Sequence, residues 1–403
     1  MRFRYGLFGA ACLAGLFAYV GLSRARAGAA EEITPLVVPS AQGSGMYTLT
    51  TDSRGVVYLS WLESASGEQA LRFAVLKGNQ WSAPRTVARG SNWFVNWADK
   101  PSVVAMPNGT LAAHWLVNNS SKQGDYGYGI RIALSKDQGV TWRETFSAGT
   151  DNRTEYSGFV SFLPDAGGLS AVYLTPKLPL STDPHEHTMT LSLVRFTLDG
   201  APQPVRVVDA DTCSCCTTSI VQTARGPVVA YRDHEPGELR DISVVRLENG
   251  RWTDPVSVHR DGWVINACPT NGPVLAASGT RVAAAWFTAA HDRPTVRVAF
   301  SDDAGAHFGA PVTVDGGKPI GWPAIALLDD GAAAVMWLES IAGGGGEIRL
   351  RRVGRDGRPG PMTTVARAPA GRSTGIPQMI RSDDGLIVAW RDGAVKSARM
   401  ALP

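Results

Sequence analysis

The sequence predicts an all-β protein built as a single β-propeller of four-stranded blades. Seven blades fit the spacing best, with six plus one irregular insertion as the alternative. Two observations predict it. An apolar run that often ends in Trp, Tyr or Tyr-Arg recurs every 50 to 60 residues, at 55–61 (GVVYLSW), 110–115 (TLAAHW), 168–173 (GLSAVY), 226–232 (GPVVAYR), 281–286 (RVAAAW), 331–337 (GAAAVMW) and 385–390 (GLIVAW). Each run is preceded by a turn containing Gly or Asn and followed by two more strand-like segments, and this period of four strands repeated around a ring is a propeller. The runs are almost wholly apolar, as strands covered on both faces must be.

Composition agrees with this. Forty-four glycines and 12 tryptophans with 19% charged residues describe a turn-rich, sheet-rich chain rather than a disordered one. Net charge is only +3 and no basic run stands out, which argues against nucleic acid as a partner.

In chain order, Arg2 and Arg4 precede an apolar run to about Leu22, and small residues follow at 25–30. This is the pattern of a secretory signal, so residues 1–29 are expected to be removed and 30–403 to form the propeller. The protein is then exported, to the periplasm or beyond, and no later segment is apolar enough to span a membrane. The last period has room for only two or three strands. The segment 33–38 (ITPLVV) is expected to supply its outer strand, which closes the ring and removes an exposed edge. The glycine run 343–346 reads as a loop within one blade.

Residues 135–142 (SKDQGVTW) follow the pattern S-x-D-x-G-x-T-W, the Asp-box, and residues 301–308 (SDDAGAHF) are a weaker copy. Ser135, Asp137, Gly139 and Trp142, with Asp303 and Gly305, are read as scaffold. The Asp side chain accepts amide protons of the turn, the Gly takes positive φ, and the ring packs between sheets. On these motifs the chain resembles the sialidase-like, or BNR-repeat, propeller superfamily. The resemblance implies that the Asp-box turns lie away from any active face.

Blade geometry then sorts the remaining residues. Second-to-third loops and the connections between blades share the opposite face, at the mouth of the central channel, where a ligand site is expected. That face collects Asp99, Glu155, Tyr156, Arg232, Asp233 and Arg240 as candidate catalytic residues, biased to blades 3 to 5. It also collects four of the five cysteines: Cys213, Cys215 and Cys216 lead into blade 4, and Cys268 into the neighbouring blade 5. In an exported chain these are expected to form disulfides, Cys268 with one of the cluster. A metal site and a redox-active thiol pair are the alternatives. Thiolates suit Cu or Zn, with His185, His187 and His234 as further candidate ligands. No cofactor is certain.

The sialidase resemblance implies three arginines gripping a carboxylate, a Tyr nucleophile paired with Glu, and an Asp acid/base. The chain departs from that pattern. It has no Arg-Ile-Pro near its start and no tyrosine after Tyr231. The segments at Cys213–Cys216, Tyr231–Asp233, 240–242, 261–263, 268–269 and 271–273 resemble an exported bacterial group of sialidase-like propellers of undefined activity. Three functions stay open: a glycosidase-like enzyme acting on glycans, a non-catalytic propeller binding a glycan, another polar small molecule or a protein, and a periplasmic metal-handling protein using the cysteines.

Overall fold

A computed structural model describes residues 33–119, 127–149, 156–178 and 188–403. Seven antiparallel sheets stand around one axis. From inside outward, blade 1 is Gly45–Thr51, Val57–Ala65, Glu68–Lys77 and a split outer strand, Gln80–Trp81 with Arg85–Gly90. Blade 2 is Ser102–Ala105, Leu111–Asn118, Tyr128–Ser135 and Arg143–Ala148, and blade 3 is Gly158–Asp165, Gly168–Pro176, Met189–Phe196 and Arg206–Thr212. Blade 4 is Ser219–Thr223, Gly226–Arg232, Ile242–Glu248 and the split pair Arg251–Trp252 and Val256–His259. Blade 5 is Val274–Ser278, Arg281–Thr288, Thr295–Ser301 and Val312–Thr313, and blade 6 is Pro319–Leu327, Ala333–Ser340, Gly346–Val353 and Pro359–Ala368.

Blade 7 closes the ring as expected. Its own strands are Gln378–Ser382, Gly385–Asp392 and Ala394–Met400, and Ile33–Leu36 pairs with the last of them, Ile33 opposite Met400 and Leu36 opposite Ser397. Trp81 of blade 1 donates its indole N–H to Ser397 Oγ at 2.9 Å and so ties the first blade to this seam. Among the described residues only two short 3-10 turns, Ala290–Asp292 and Gly371–Thr374, are helical, and none is a helix that could cross a membrane. The expected signal segment lies outside the described residues.

The apolar repeat occupies the second strands, buried between neighbouring blades. Trp61, Trp286 and Trp337 are fully enclosed there. A buried indole N–H needs an acceptor, and each finds a carboxylate: Glu63 at 2.8 Å, Asp261 at 2.6 Å and Glu339 at 2.8 Å. In blades 1 and 6 the acid is two residues along the same strand, in the string Trp-Leu-Glu.

The two Asp-box segments form hydrogen-bonded turns. Asp137 Oδ1 accepts the amides of Val140 and Thr141 at 3.1 and 2.9 Å, and Ser135 Oγ accepts that of Gly139 at 2.7 Å. Gly139 has φ of 87° and Trp142 meets Phe73 edge-on. In the weaker copy Asp303 accepts the His307 amide at 2.9 Å, Ser301 Oγ accepts that of Gly305 at 2.9 Å, and Gly305 has φ of 82°. Both turns join third to fourth strands, on the face opposite the blade-to-blade connections.

Candidate functional site

The upper half of the channel holds a cavity of about 460 Å³. Its wall takes residues from all seven inner strands, including Thr48, Ser161, Ser219 and Gln378. Asp99, on the connection into blade 2, is part of this wall and only 2% exposed. Tyr128 Oη donates to its Oδ2 at 3.0 Å, and the Phe159 amide donates to its Oδ1 at 2.9 Å.

A local device aims that amide. The start of blade 3 carries a β-bulge between Gly158 and Ser161, and Phe159 sits at φ of 55°. A Cβ at Gly158 would lie 2.0 Å from the Asp99 carboxylate, so only glycine fits. Blade 6 repeats the arrangement at Gly321–Trp322, with Trp322 at φ of 53° and its amide donating to Asn271 Oδ1 at 2.6 Å. Left-handed, non-glycine residues at a bulge mark positions the surrounding fold holds in place.

Burial raises the Asp99 carboxyl to about 7, against the two hydrogen bonds and Lys100, which lower it. Burial likewise brings Lys100 down to about 7. The channel mouth therefore carries a carboxyl and an amine that both exchange protons near neutral pH, the range useful for acid–base work.

Aromatic rings flank this pair. Phe94, Tyr128 and Tyr156 form a stack, with centroids 3.9 and 4.9 Å apart. Tyr156 Oη donates to the Ser214 carbonyl, so the stack runs from the channel to the cysteine loop. Trp97 and Trp322 meet at 5.0 Å, and the exposed Arg372 guanidinium lies 5.3 Å over Trp97.

The cysteine loop enters blade 4 beside this stack, anchored by the Cys213 amide donating to the Arg232 carbonyl at 3.1 Å. Cys213, Cys215 and Cys216 are buried and their sulfurs converge: Cys213 Sγ is 4.0 Å from Cys215 Sγ and 3.8 Å from Cys216 Sγ. Arg240 Nη1 lies 3.4 Å from Cys213 Sγ. Hydrogen bonding with Cys215 and Cys216 holds the Cys213 thiol well below its usual range, and Arg240 adds to this. The same bond to Cys213 raises Cys215, and burial pushes Cys216 up to about 12. Cys268, exposed, adjoins Cys215, whose hydrogen bond lowers it to about 7.

The disulfides expected from the compartment are therefore absent. All four cysteines among the described residues are free, and the cluster sulfurs stand at nearly twice the S–S bond length of about 2.05 Å.

The structure brings Asp99, Tyr156, Arg240 and the cysteines to one region of the mouth. It gives Arg232 a different job. That side chain is buried, 2% exposed, and donates to the carbonyls of Asn271 at 2.8 Å, Phe287 at 2.8 Å and Arg240 at 2.6 Å, with Trp263 stacked 4.6 Å away. Arg240 is likewise engaged, by Glu238 at 2.5 Å and by Cys213. Asp233 is buried and accepts the His234 amide at 2.9 Å, and burial raises its carboxyl to about 6. His234 lies between two carboxylates, Asp211 at 2.8 Å and Glu238 at 3.5 Å. It is not among the ligand atoms within 4.8 Å of one another in the cysteine cluster. Glu155, His185 and His187 lie outside the described residues. Sequence reasoning missed Arg372, which stands in no motif, and the pairing of Tyr128 with Asp99 across 29 positions.

No protein-family model matches the chain, and no curated protein matches it in sequence. Solved structures share its fold. A polysaccharide lyase described as a PL25 ulvan lyase bound to -[GlcA(1-4)Rha3S]- superposes with a TM-score of 0.56 at 11% identity, over 93% of this chain and 94% of that one. The α-L-arabinofuranosidase Arb93A from Fusarium graminearum, in complex with an iminosugar inhibitor, superposes with a TM-score of 0.50 at 12% identity, over 93% and 97%. The Hadza microbial sialidase Hz136 also matches, with a TM-score of 0.46 at 12% identity, over 92% and 96%. The chain thus shares a β-propeller fold with a polysaccharide lyase and an arabinofuranosidase.

Proposed function

We propose that the protein is an exported, glycan-directed propeller that takes its ligand at the channel mouth, with Asp99 as the proton-transferring carboxyl. The observation that carries this is Asp99 itself: a carboxyl raised to about 7, set in the wall of a 460 Å³ cavity that also holds ring and hydroxyl side chains. Sugars are recognised by hydroxyl and amide hydrogen bonds together with the faces of aromatic rings, and cavities of this size suit one or two sugar units. A carboxyl kept protonated near neutral pH can protonate a leaving oxygen. The fold shared with an arabinofuranosidase and a polysaccharide lyase supports the same ligand class.

Neither Arg232 nor Arg240 offers a free guanidinium, so a sialidase-like triple-arginine grip on a carboxylate is not part of this reading. Lys100 lines the cavity, and Arg372 stands over Trp97.

The test is turnover of a panel of neutral, sulfated and uronate-containing polysaccharides. New reducing or unsaturated ends from at least one glycan are expected, and Asp99→Asn should lower the rate by about 100-fold or more. Binding without turnover in the wild type would leave a non-catalytic glycan-binding propeller. Neither binding nor turnover anywhere on the panel would end the glycan reading.

A further inference from the structure

The channel reading leaves the cysteine cluster unused, and it has a chemistry of its own. We propose that Cys213, Cys215 and Cys216 form a three-thiolate seat for one soft monovalent cation, Cu(I), with Cys268 as the thiol through which the ion arrives and leaves. This goes beyond the glycan-directed function and does not depend on it.

Geometry is the first ground. Two sulfur pairs stand at 3.8 and 4.0 Å and all three sulfurs lie within 4.8 Å of one another. A point equidistant from three such atoms lies about 2.2 to 2.5 Å from each, the length of a metal–thiolate bond. The spacing is too long for a disulfide, and a Cys215–Cys216 bond would join neighbours in sequence, which strains the backbone.

Charge is the second ground. Three thiols packed only as small apolar side chains would have no use for a cation at their edge. Here Arg240 Nη1 lies 3.4 Å from Cys213 Sγ. Three thiolates around Cu(I) carry a net charge of −2, and the Arg240 guanidinium at the cluster's edge offsets part of it. Glu238 holds Arg240 in this position, so the guanidinium is in place before any ion binds.

The donor set selects the ion. No His, Asp or Glu ligand atom among the described residues joins the three sulfurs within 4.8 Å. A structural Zn site takes four ligands in a tetrahedron. Three buried, all-sulfur donors suit Cu(I), which soft thiolates favour. Cys268 stands outside the triad, on its exposed side, against Cys215. That is where an incoming ion would first meet sulfur and pass on by ligand exchange. Each thiol that binds releases its proton to water, and no electron is transferred.

The test uses the purified chain, reduced and handled without oxygen. Cu(I) is supplied against a chromophoric Cu(I) chelator, and Zn(II) against a zinc chelator in parallel. The expected result is one Cu(I) per chain. Cys216→Ser should abolish that uptake, and Cys268→Ser should keep the stoichiometry but slow exchange with the chelator. X-ray absorption on the loaded wild type needs no variant and should show three sulfurs at about 2.3 Å. Less than one tightly held Cu(I), a first shell of nitrogen or oxygen, or Zn(II) held in preference to Cu(I) would each overturn the proposal.

Discussion

Replacing Asp99 by Asn tests whether the carboxyl at the channel mouth holds its proton to neutral pH. The folded-state value of about 7 lies above the unfolded value of 3.8. A group shifted upward stabilises the fold fully below its unfolded value, and that contribution is lost as pH rises through the folded one. Across pH 5 to 7 the wild type therefore loses about 2 kcal/mol from this group, since the loss of about 1.4 kcal/mol per unit near pH 5 falls to about half of that at pH 7. Lys100, shifted the other way to about 7, acts above that window, so it does not mask the effect. Asparagine removes the titration while keeping an acceptor for the Phe159 amide.

For a fold of roughly 370 residues the unfolding entropy is about 0.8 kcal/mol per kelvin, so about 2 kcal/mol is a melting shift of about 3 °C. The assay is thermal unfolding of both proteins at pH 5 and pH 7. Asp99→Asn should gain about 3 °C on the wild type between the two. A difference that does not change with pH, or that moves the other way, would refute the burial argument and with it the acid role of Asp99.

Other outcomes follow from the same contacts. Arg232→Ala strands three buried carbonyls at 1 to 3 kcal/mol each, so it should cost about 3 kcal/mol or more and lower the melting temperature by about 4 °C. An unchanged melting temperature with weakened ligand binding would instead make it a ligand contact. Asp137→Ala should weaken the fold and leave glycan binding and Cu(I) uptake unchanged, because the Asp-box stands on the far face. Asp137 is lowered to about 2, chiefly by Thr141, so its stabilisation should be present above the ordinary value of 3.8 and fade as pH falls towards 2 in an acid melt. Removing the strand Ile33–Leu36 should expose the edge of Ala394–Met400 and cause self-association, read by light scattering.

Much of the fold was legible because a propeller writes its period into the chain. Second strands are enclosed by neighbouring blades, so 281–286 and 331–337 had to be apolar throughout, and the short last period required a strand from elsewhere. The Asp-boxes were legible because a turn that needs an acceptor, a positive φ and a ring admits few residue types.

The site was legible only as a neighbourhood. Tyr231-Arg232-Asp233 reads the same whether the guanidinium faces a ligand or three carbonyls, and only the bend of the chain at 271 and 287 decides it. The Gly158–Phe159 bulge leaves no periodic trace, yet it aims the amide that holds Asp99. Cysteine spacing carried no information on sulfur distances, so the expected compartment suggested disulfides where the loop instead holds the thiols apart. The Trp-Leu-Glu strings at 61–63 and 337–339 were a readable sign of buried indoles with acid partners that went unused.

The central claim, a glycan site at the channel mouth, is met most directly by a crystal structure with the tightest-binding oligosaccharide of the panel. The account predicts a sugar ring in the cavity bordered by Asp99 and Trp322, with Trp97 and Arg372 at its rim. A sugar seated instead at the opposite end, against Arg281, Asp302 and Arg381, would contradict it.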